Sequence, residues 1–195
     1  MAEPARKRAT YDDLYNIPEN MTGEIIDGQL YATPRPSRKH VRTVYSLGYA
    51  IGRSYDFAER GGPGGWIFLP ESEIQLDGDT FVPDLAGWRK ERFPAEEDHN
   101  WISVSPDWVC EILSPSSIRH DRITKMGTYA KHRIPYFWLV DPVAKILEVF
   151  KLESGRWTVA GAYAENEKVR AEPFQEIEID LANLWLEGQP KRSEQ

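Results

Sequence analysis

Asp107-Trp108-Val109-Cys110-Glu111-Ile112-Leu113 is the stretch on which the fold turns. Beyond the leading Asp107, Glu111 is its only polar residue, as expected of a central strand buried on both faces. Ser114-Pro115-Ser116-Ser117 then turns the chain and caps a helix expected from about residue 118 to 132. A second buried strand follows at 136–140. Upstream, 66–76 and 80–88 read as two strands joined around Asp77-Gly78-Asp79, where Asp-Gly favours a tight hairpin turn. Downstream, Asp141-Pro142 begins a turn, and 146–152 and 156–163 form a C-terminal β-meander.

The N-terminal third adds a strand at 24–32, turning at Asp27-Gly28, and a short helix capped by Thr10. Ser37 caps a longer helix in which Val41, Val44, Tyr45, Leu47, Gly48 and Ile51 recur at helical spacing to about residue 58. The order predicts an α/β fold, a mixed central sheet with helices on its faces. The 195 residues suffice for one domain, expected over 11–188, with flexible ends at 1–10 and 189–195.

Hydrophobic residues make up 41% and charged residues 28%, an ordinary globular composition. No apolar run approaches the roughly 18 residues of a membrane span. The basic stretch 1–10 lacks the apolar core of a secretory signal, so a cytoplasmic location is expected. The lone Cys110 excludes an internal disulfide and a multi-cysteine zinc site, and reads as a buried thiol. The net charge of −7 runs against nucleic-acid binding, but its distribution is uneven. Arg35, Arg38, Lys39, His40 and Arg42 form one basic cluster, and Arg119, His120, Arg122 and Lys125 a second, while acids concentrate at 91–98 and 165–180. A basic active face on an acidic body and a scattered solvated surface fit this pattern equally.

Two acids sit where burial should exclude them. Asp84 follows Pro83 in Phe81-Val82-Pro83-Asp84-Leu85-Ala86, and Glu111 lies mid-run in the central strand. A buried carboxylate must be paired, protonated or metal-bound. A hard divalent cation needs only one or two carboxylates beside water and phosphate; the competing reading is an ion pair with Arg119 or Lys125. Asp121 and Lys125, four apart, share a helix face, either as an ordinary ion pair or with Lys125 projecting towards the carboxylates. His40 reads first as a capping or surface histidine, ahead of a base or ligand. His99, His120 and His132 show no ligand spacing, and the glycines at 61–65 lack the Gly-Lys-Ser/Thr of a phosphate loop. A glycosidase carboxylate pair fits the chemistry of Asp84 and Glu111 but has no other sugar-site signal.

Pro83-Asp84, Glu111-Ile112-Leu113-Ser114-Pro115-Ser116, Asp121, Lys125, Tyr129 and Ile134-Pro135-Tyr136-Phe137-Trp138-Leu139-Val140-Asp141-Pro142 together resemble the Uma-two family, within the PD-(D/E)XK nuclease superfamily. The resemblance extends to Glu24-Ile25-Ile26-Asp27-Gly28-Gln29-Leu30, Ser37, His40 and Glu148-Val149-Phe150, and covers most of 11–185. It implies a restriction-endonuclease-like fold and a metal-dependent nuclease. Asp84 and Glu111 would bind Mg²⁺ or Mn²⁺ with the carbonyl of Ile112. Leu113 stands where the superfamily motif has lysine, a role the resemblance moves to Lys125. Glu24, His40 and Asp121 would be accessory residues, with Arg35, Arg38, Lys39, Arg119 and Arg122 following the phosphate backbone. The expected partner is nucleic acid, DNA ahead of RNA, with a homodimer as the assembly and no membrane. The alternative is a non-catalytic nucleic-acid- or protein-binding module carrying a relic site.

Overall fold

The computed structural model describes residues 8–96 and 99–186. The Thr10 N–H and hydroxyl both donate to Asp13 (2.7 and 3.1 Å), which fixes the start of α1 (Tyr11–Leu14). Within the end expected to fray, Ala9 is already tied down, its N–H donating to the Gly28 carbonyl at 2.9 Å; residues 1–7 and 189–195 lie outside the described residues. β1 (Met21–Ile26) and β2 (Gln29–Pro34) form an antiparallel hairpin around Asp27 and Gly28. Both turn residues have positive φ (51° and 75°), as the tight turn needs. Ser37 Oγ accepts from His40 N–H at 3.3 Å and opens α2 (Arg38–Tyr55), whose Leu47, Ile51 and Tyr55 face the core.

The two long strands expected over 66–88 are each broken. β3 (Trp66–Pro70) and β6 (Leu85–Arg89) pair in a six-stranded sheet, whereas β4 (Ile74–Leu76) and β5 (Asp79–Phe81) pair in a four-stranded one of order β2-β1-β5-β4. The break has a backbone cause. Pro83 has no N–H to give a ladder, and Glu71 opposite adopts φ 47°. The hairpin therefore leaves one sheet and enters the other, and Asp84 sits at the crossing point rather than inside a strand.

β7 (Trp108–Ile112) lies inside the six-stranded sheet and is fully buried. A helical crossover leads from it to β8 (Tyr136–Asp141), which pairs with it in parallel. β9 (Ile146–Glu153) and β10 (Arg156–Ala164) extend the sheet as the expected antiparallel meander, in the order β10-β9-β8-β7-β6-β3. The crossover departs from a regular helix. His120–Lys125 form a π-helical turn, closed by Met126 N–H donating to the Asp121 carbonyl, before α3 (Met126–Lys131).

Alternation along β7 separates two cores. Trp108, Cys110 and Ile112 face α2, while Val109 and Leu113 pack with Tyr129, Phe137 and Leu139. Glu111 therefore points to the second face, beneath the crossover. The first core is completed by residues that no periodicity marked: β11 (Lys168–Val169), β12 (Ile179–Asp180) and the turn at Leu181–Leu184. Phe174 is its hub, with ring centroids 5.0, 5.2 and 5.6 Å from Trp66, Trp108 and Trp138. Such edge-on aromatic pairs contribute about 0.5–1.5 kcal/mol each beyond burial. No helix among the described residues is long and apolar enough to cross a membrane.

Candidate active site

The break between the sheets opens a cleft of about 320 Å³, into which β1, the first turn of α2, β7 and the π-turn all project. Glu111, from β7, lies at its floor. Its Oε1 is 2.8 Å from Lys125 Nζ and accepts a hydrogen bond from the Tyr129 hydroxyl. Lys125 also lies 3.1 Å from Glu24 Oε1 and donates to the Val82 carbonyl at 2.9 Å. Glu24 accepts from Val82 N–H (2.7 Å) and lies 2.9 Å from His120 Nε2. Asp84, at the crossing point, takes Ile112 N–H on Oδ2 at 2.6 Å and His40 Nε2 on Oδ1 at 2.9 Å. A carboxylate only accepts, so Nε2 carries the donated proton. His40 Nδ1 is buried without a hydrogen-bond partner among the described residues.

The π-turn explains how adjacent residues share this space. Asp121 and Lys125 are 3% and 4% exposed, and His120 also lines the cleft, while Arg122 and Ile123 remain on the surface. The residue-rich turn widens the arc presented inward.

The electrostatics are unbalanced. Glu24, Asp84, Glu111 and Asp121 all line the cleft, with Lys125 as its buried ammonium and His40 and His120 beside it. Burial and the neighbouring Asp84, Asp121 and Glu24 carry the Glu111 carboxyl well above the usual range, despite the opposing Lys125. Burial also raises Asp121. Lys125 is desolvated, yet the surrounding carboxylates hold its proton more firmly than in water. Glu24 alone ends below the usual range, because Lys125, His120 and the Val82 N–H outweigh its burial. His40 is raised, since Asp84 overcomes the effect of burial.

This donor set fits a hard divalent cation. Hard carboxylate oxygens line one cleft, and two of the acids, Glu111 and Asp121, hold their protons more firmly than usual, an affinity that a bound ion would replace. Among the described residues, no three or more His, Cys, Asp or Glu side chains could by themselves hold an ion. A site of one or two carboxylates completed by water and phosphate, as Mg²⁺ commonly uses, does not need three.

Of the residues expected from the sequence, Asp84, Glu111, Lys125, Glu24, His40 and Asp121 are gathered in this one cleft. Lys125 reaches Glu111 from the crossover, and Leu113, at the motif-lysine position, is committed to the core. Two expectations are corrected. His40 is not a surface histidine but a buried partner of Asp84, because it falls on the inward face of α2. Asp121 and Lys125 make no ion pair with each other within bonding distance; both turn inward instead. Of the backbone-following cations, Arg35 lines the cleft, and Arg38, Lys39 and Arg119 are exposed. Arg122 is engaged by Glu148. His120 had no spacing signal, and Tyr129 entered only through the resemblance; both contact the acidic cluster directly.

The fold and the cleft define a nuclease-like α/β protein. The chain belongs to the Uma2 (Uma-two) family, described as "putative restriction endonuclease", with the match spanning residues 8–182. Among solved structures it is similar to a "putative nuclease belonging to DUF820" from Anabaena variabilis ATCC 29413. That likeness has a TM-score of 0.73 and 22% identity over 91% of this chain and 97% of the other, and shows the shared fold. None of the curated proteins matches the chain.

Proposed function

We propose that the protein is a metal-dependent endonuclease that hydrolyses phosphodiester bonds in nucleic acid, DNA ahead of RNA. The observation that carries this reading is the surplus of cleft carboxylates around Lys125, whose ammonium lies 2.8 Å from Glu111. Asp84 and Glu111, with the Ile112 carbonyl, would hold Mg²⁺ or Mn²⁺. When bound, such an ion lowers the pKa of a water and neutralises charge on the scissile phosphate.

The chain's own residues do the rest. Ile112 N–H and His40 fix the two oxygens of Asp84. Tyr129 and Lys125 fix Glu111. Lys125 keeps its proton and places a positive charge beside the position of the attacking water and the phosphoryl oxygens. Arg35, Arg38, Lys39 and Arg119 follow the backbone without reading bases.

Cleavage of supercoiled and single-stranded DNA at low salt, with Mn²⁺, Mg²⁺ or chelator, tests the reading. Wild type is expected to cut only with metal, and Asp84→Asn to lose cutting by about a thousandfold while retaining DNA binding. Equal cutting by wild type and variant overturns the reading. So does no metal binding by calorimetry together with no cleavage of any substrate.

A further inference from the structure

The solvent face of α2 carries a pattern the cleft does not use. Arg38, Arg42, Tyr45, Tyr49 and Arg53 are spaced four, three, four and four residues apart, and so share one face of the helix. All five are exposed. The rings stand out: Tyr45 is 66% and Tyr49 59% exposed, large apolar surfaces open to solvent. Over its 18 residues α2 has four Lys and Arg and no acid, in a chain of net charge −7. That local excess is the reverse of the body's charge.

The stripe begins at the same end of α2 as the cleft. Ser37 and His40, at the first turn of α2, line the cleft mouth, and His40 holds Asp84. A separate groove of about 510 Å³ follows the helix from Arg42 to Arg53, with Tyr45 and Tyr49 on one wall and Glu178, Asp180 and Asn183 on the other. Arg53 lies over the Tyr49 ring at 6.0 Å, and Arg42 donates to the Asn183 carbonyl at 3.3 Å, closing the groove floor. The two walls differ in what they accept. Arginines interleaved with tyrosines suit a phosphate backbone bearing unstacked bases. Carboxylates and an amide opposite would repel a second backbone but accept hydrogen bonds from exocyclic amino groups of bases.

We propose that this face is a guide for a single strand: Tyr45 and Tyr49 stack on unpaired bases while Arg38 and Arg53 neutralise their phosphates. The substrate of the cleft is then a nucleic acid with an unpaired arm beside the cut. The assignment rests on the nuclease reading for the identity of that cleft, and on the α2 face alone for the binding.

The test compares wild type with Tyr45→Ala/Tyr49→Ala and Tyr45→Phe/Tyr49→Phe. Anisotropy is measured on a fluorescein-labelled single-stranded oligodeoxynucleotide and on the blunt duplex of the same sequence, at low salt with chelator. The Ala pair is expected to weaken single-strand binding by about tenfold per ring, the order that stacking one base contributes. Duplex binding and the salt slope should stay unchanged, and the Phe pair, which keeps both rings, should bind like wild type. An Ala pair that folds, by its thermal transition, and binds the single strand as wild type does overturns the proposal. A wild-type dimer that the Ala pair turns monomeric by sedimentation, with single-strand affinity intact, also overturns it and makes the face a self-association surface. The two readings fail separately. Tyrosine-dependent single-strand binding without any metal-dependent cutting leaves the guide and removes the nuclease. Cutting that depends on Asp84 but binding indifferent to both tyrosines does the reverse.

Discussion

Two charge clusters lie on the same face of β1 and β5, one in the cleft and one at the hairpin tips, and they are built to different rules. At the hairpin tips, Asp79 accepts from Lys131 (2.7 Å), His132 (2.8 Å) and the Asp27 N–H (2.8 Å), and Lys131 reaches on to Asp27 at 2.8 Å. One carboxylate meets more donors than it needs. Burial resists its ionisation, but those hydrogen bonds hold its carboxyl below the usual range. In the cleft the balance is inverted: Glu24, Glu71, Asp84, Glu111 and Asp121 line it around a single ammonium, Lys125, with Arg35, His40 and His120 beside them, and Glu111 is driven upwards. The satisfied cluster clasps the β1–β2 turn, the β4–β5 turn and the end of α3. The cleft cluster, though Glu24, Asp84 and Glu111 are all hydrogen-bonded, keeps more carboxylates than cations.

The largest expected effect strikes the single ammonium. Lys125→Met keeps the volume but leaves Glu111 without a cation and Glu24 with only His120, and should cost about 3–5 kcal/mol in urea unfolding along with cleavage. A loss under about 0.5 kcal/mol would break the comparison, since the cleft would then not depend on its one ammonium.

Next comes the clasp. Asp79→Asn removes the charge on which three donors converge and should cost about 2 kcal/mol. That loss has a pH signature. Below the ordinary carboxylate range the unfolded chain binds a proton that folded Asp79 refuses, so wild-type stability declines as pH falls from about 4 through the lower folded-state value. Wild type and variant should converge there and stay apart at neutral pH. A constant gap across that window would show that shape, not charge, holds the clasp.

The smallest effect has the opposite sign. Glu111→Gln removes one of the crowded negative charges and keeps an acceptor for Tyr129 and Lys125. It should raise stability by about 1 kcal/mol while abolishing cleavage. A destabilisation as large as that of Asp79→Asn would place both clusters under one rule.

Much of this was legible beforehand, and the reasons differ residue by residue. Glu111 showed because nothing else polar interrupts the β7 run. Asp84 showed as an acid within an apolar segment, although its position at a strand break followed only from Pro83 and the unheralded positive φ of Glu71. Lys125 showed through its spacing to Asp121 and through the family resemblance. His40 was masked by a true local signal: Ser37 does cap α2, and a histidine three residues on looks like part of the cap. His120 was invisible because its partner, Glu24, is 96 residues away. The strands at Lys168–Val169 and Ile179–Asp180 span two residues each, too short for any period, yet they help close the core around Phe174.

The π-turn at His120–Lys125 bears on how this cleft arose and how it is lost. A turn of this kind is what an α-helix becomes when it admits one residue too many, with the neighbouring turns left in register. Arg122 and Ile123, exposed at its crest, are the positions where such an insertion costs least. Excising either would let the segment close as an ordinary helix while the turns on either side keep their register. Asp121 and Lys125 would then stand three apart and still share a face, but the wider arc that also admits His120 to the cleft would be gone. A change of one residue in length, with no substitution at all, would therefore redraw this wall of the cleft.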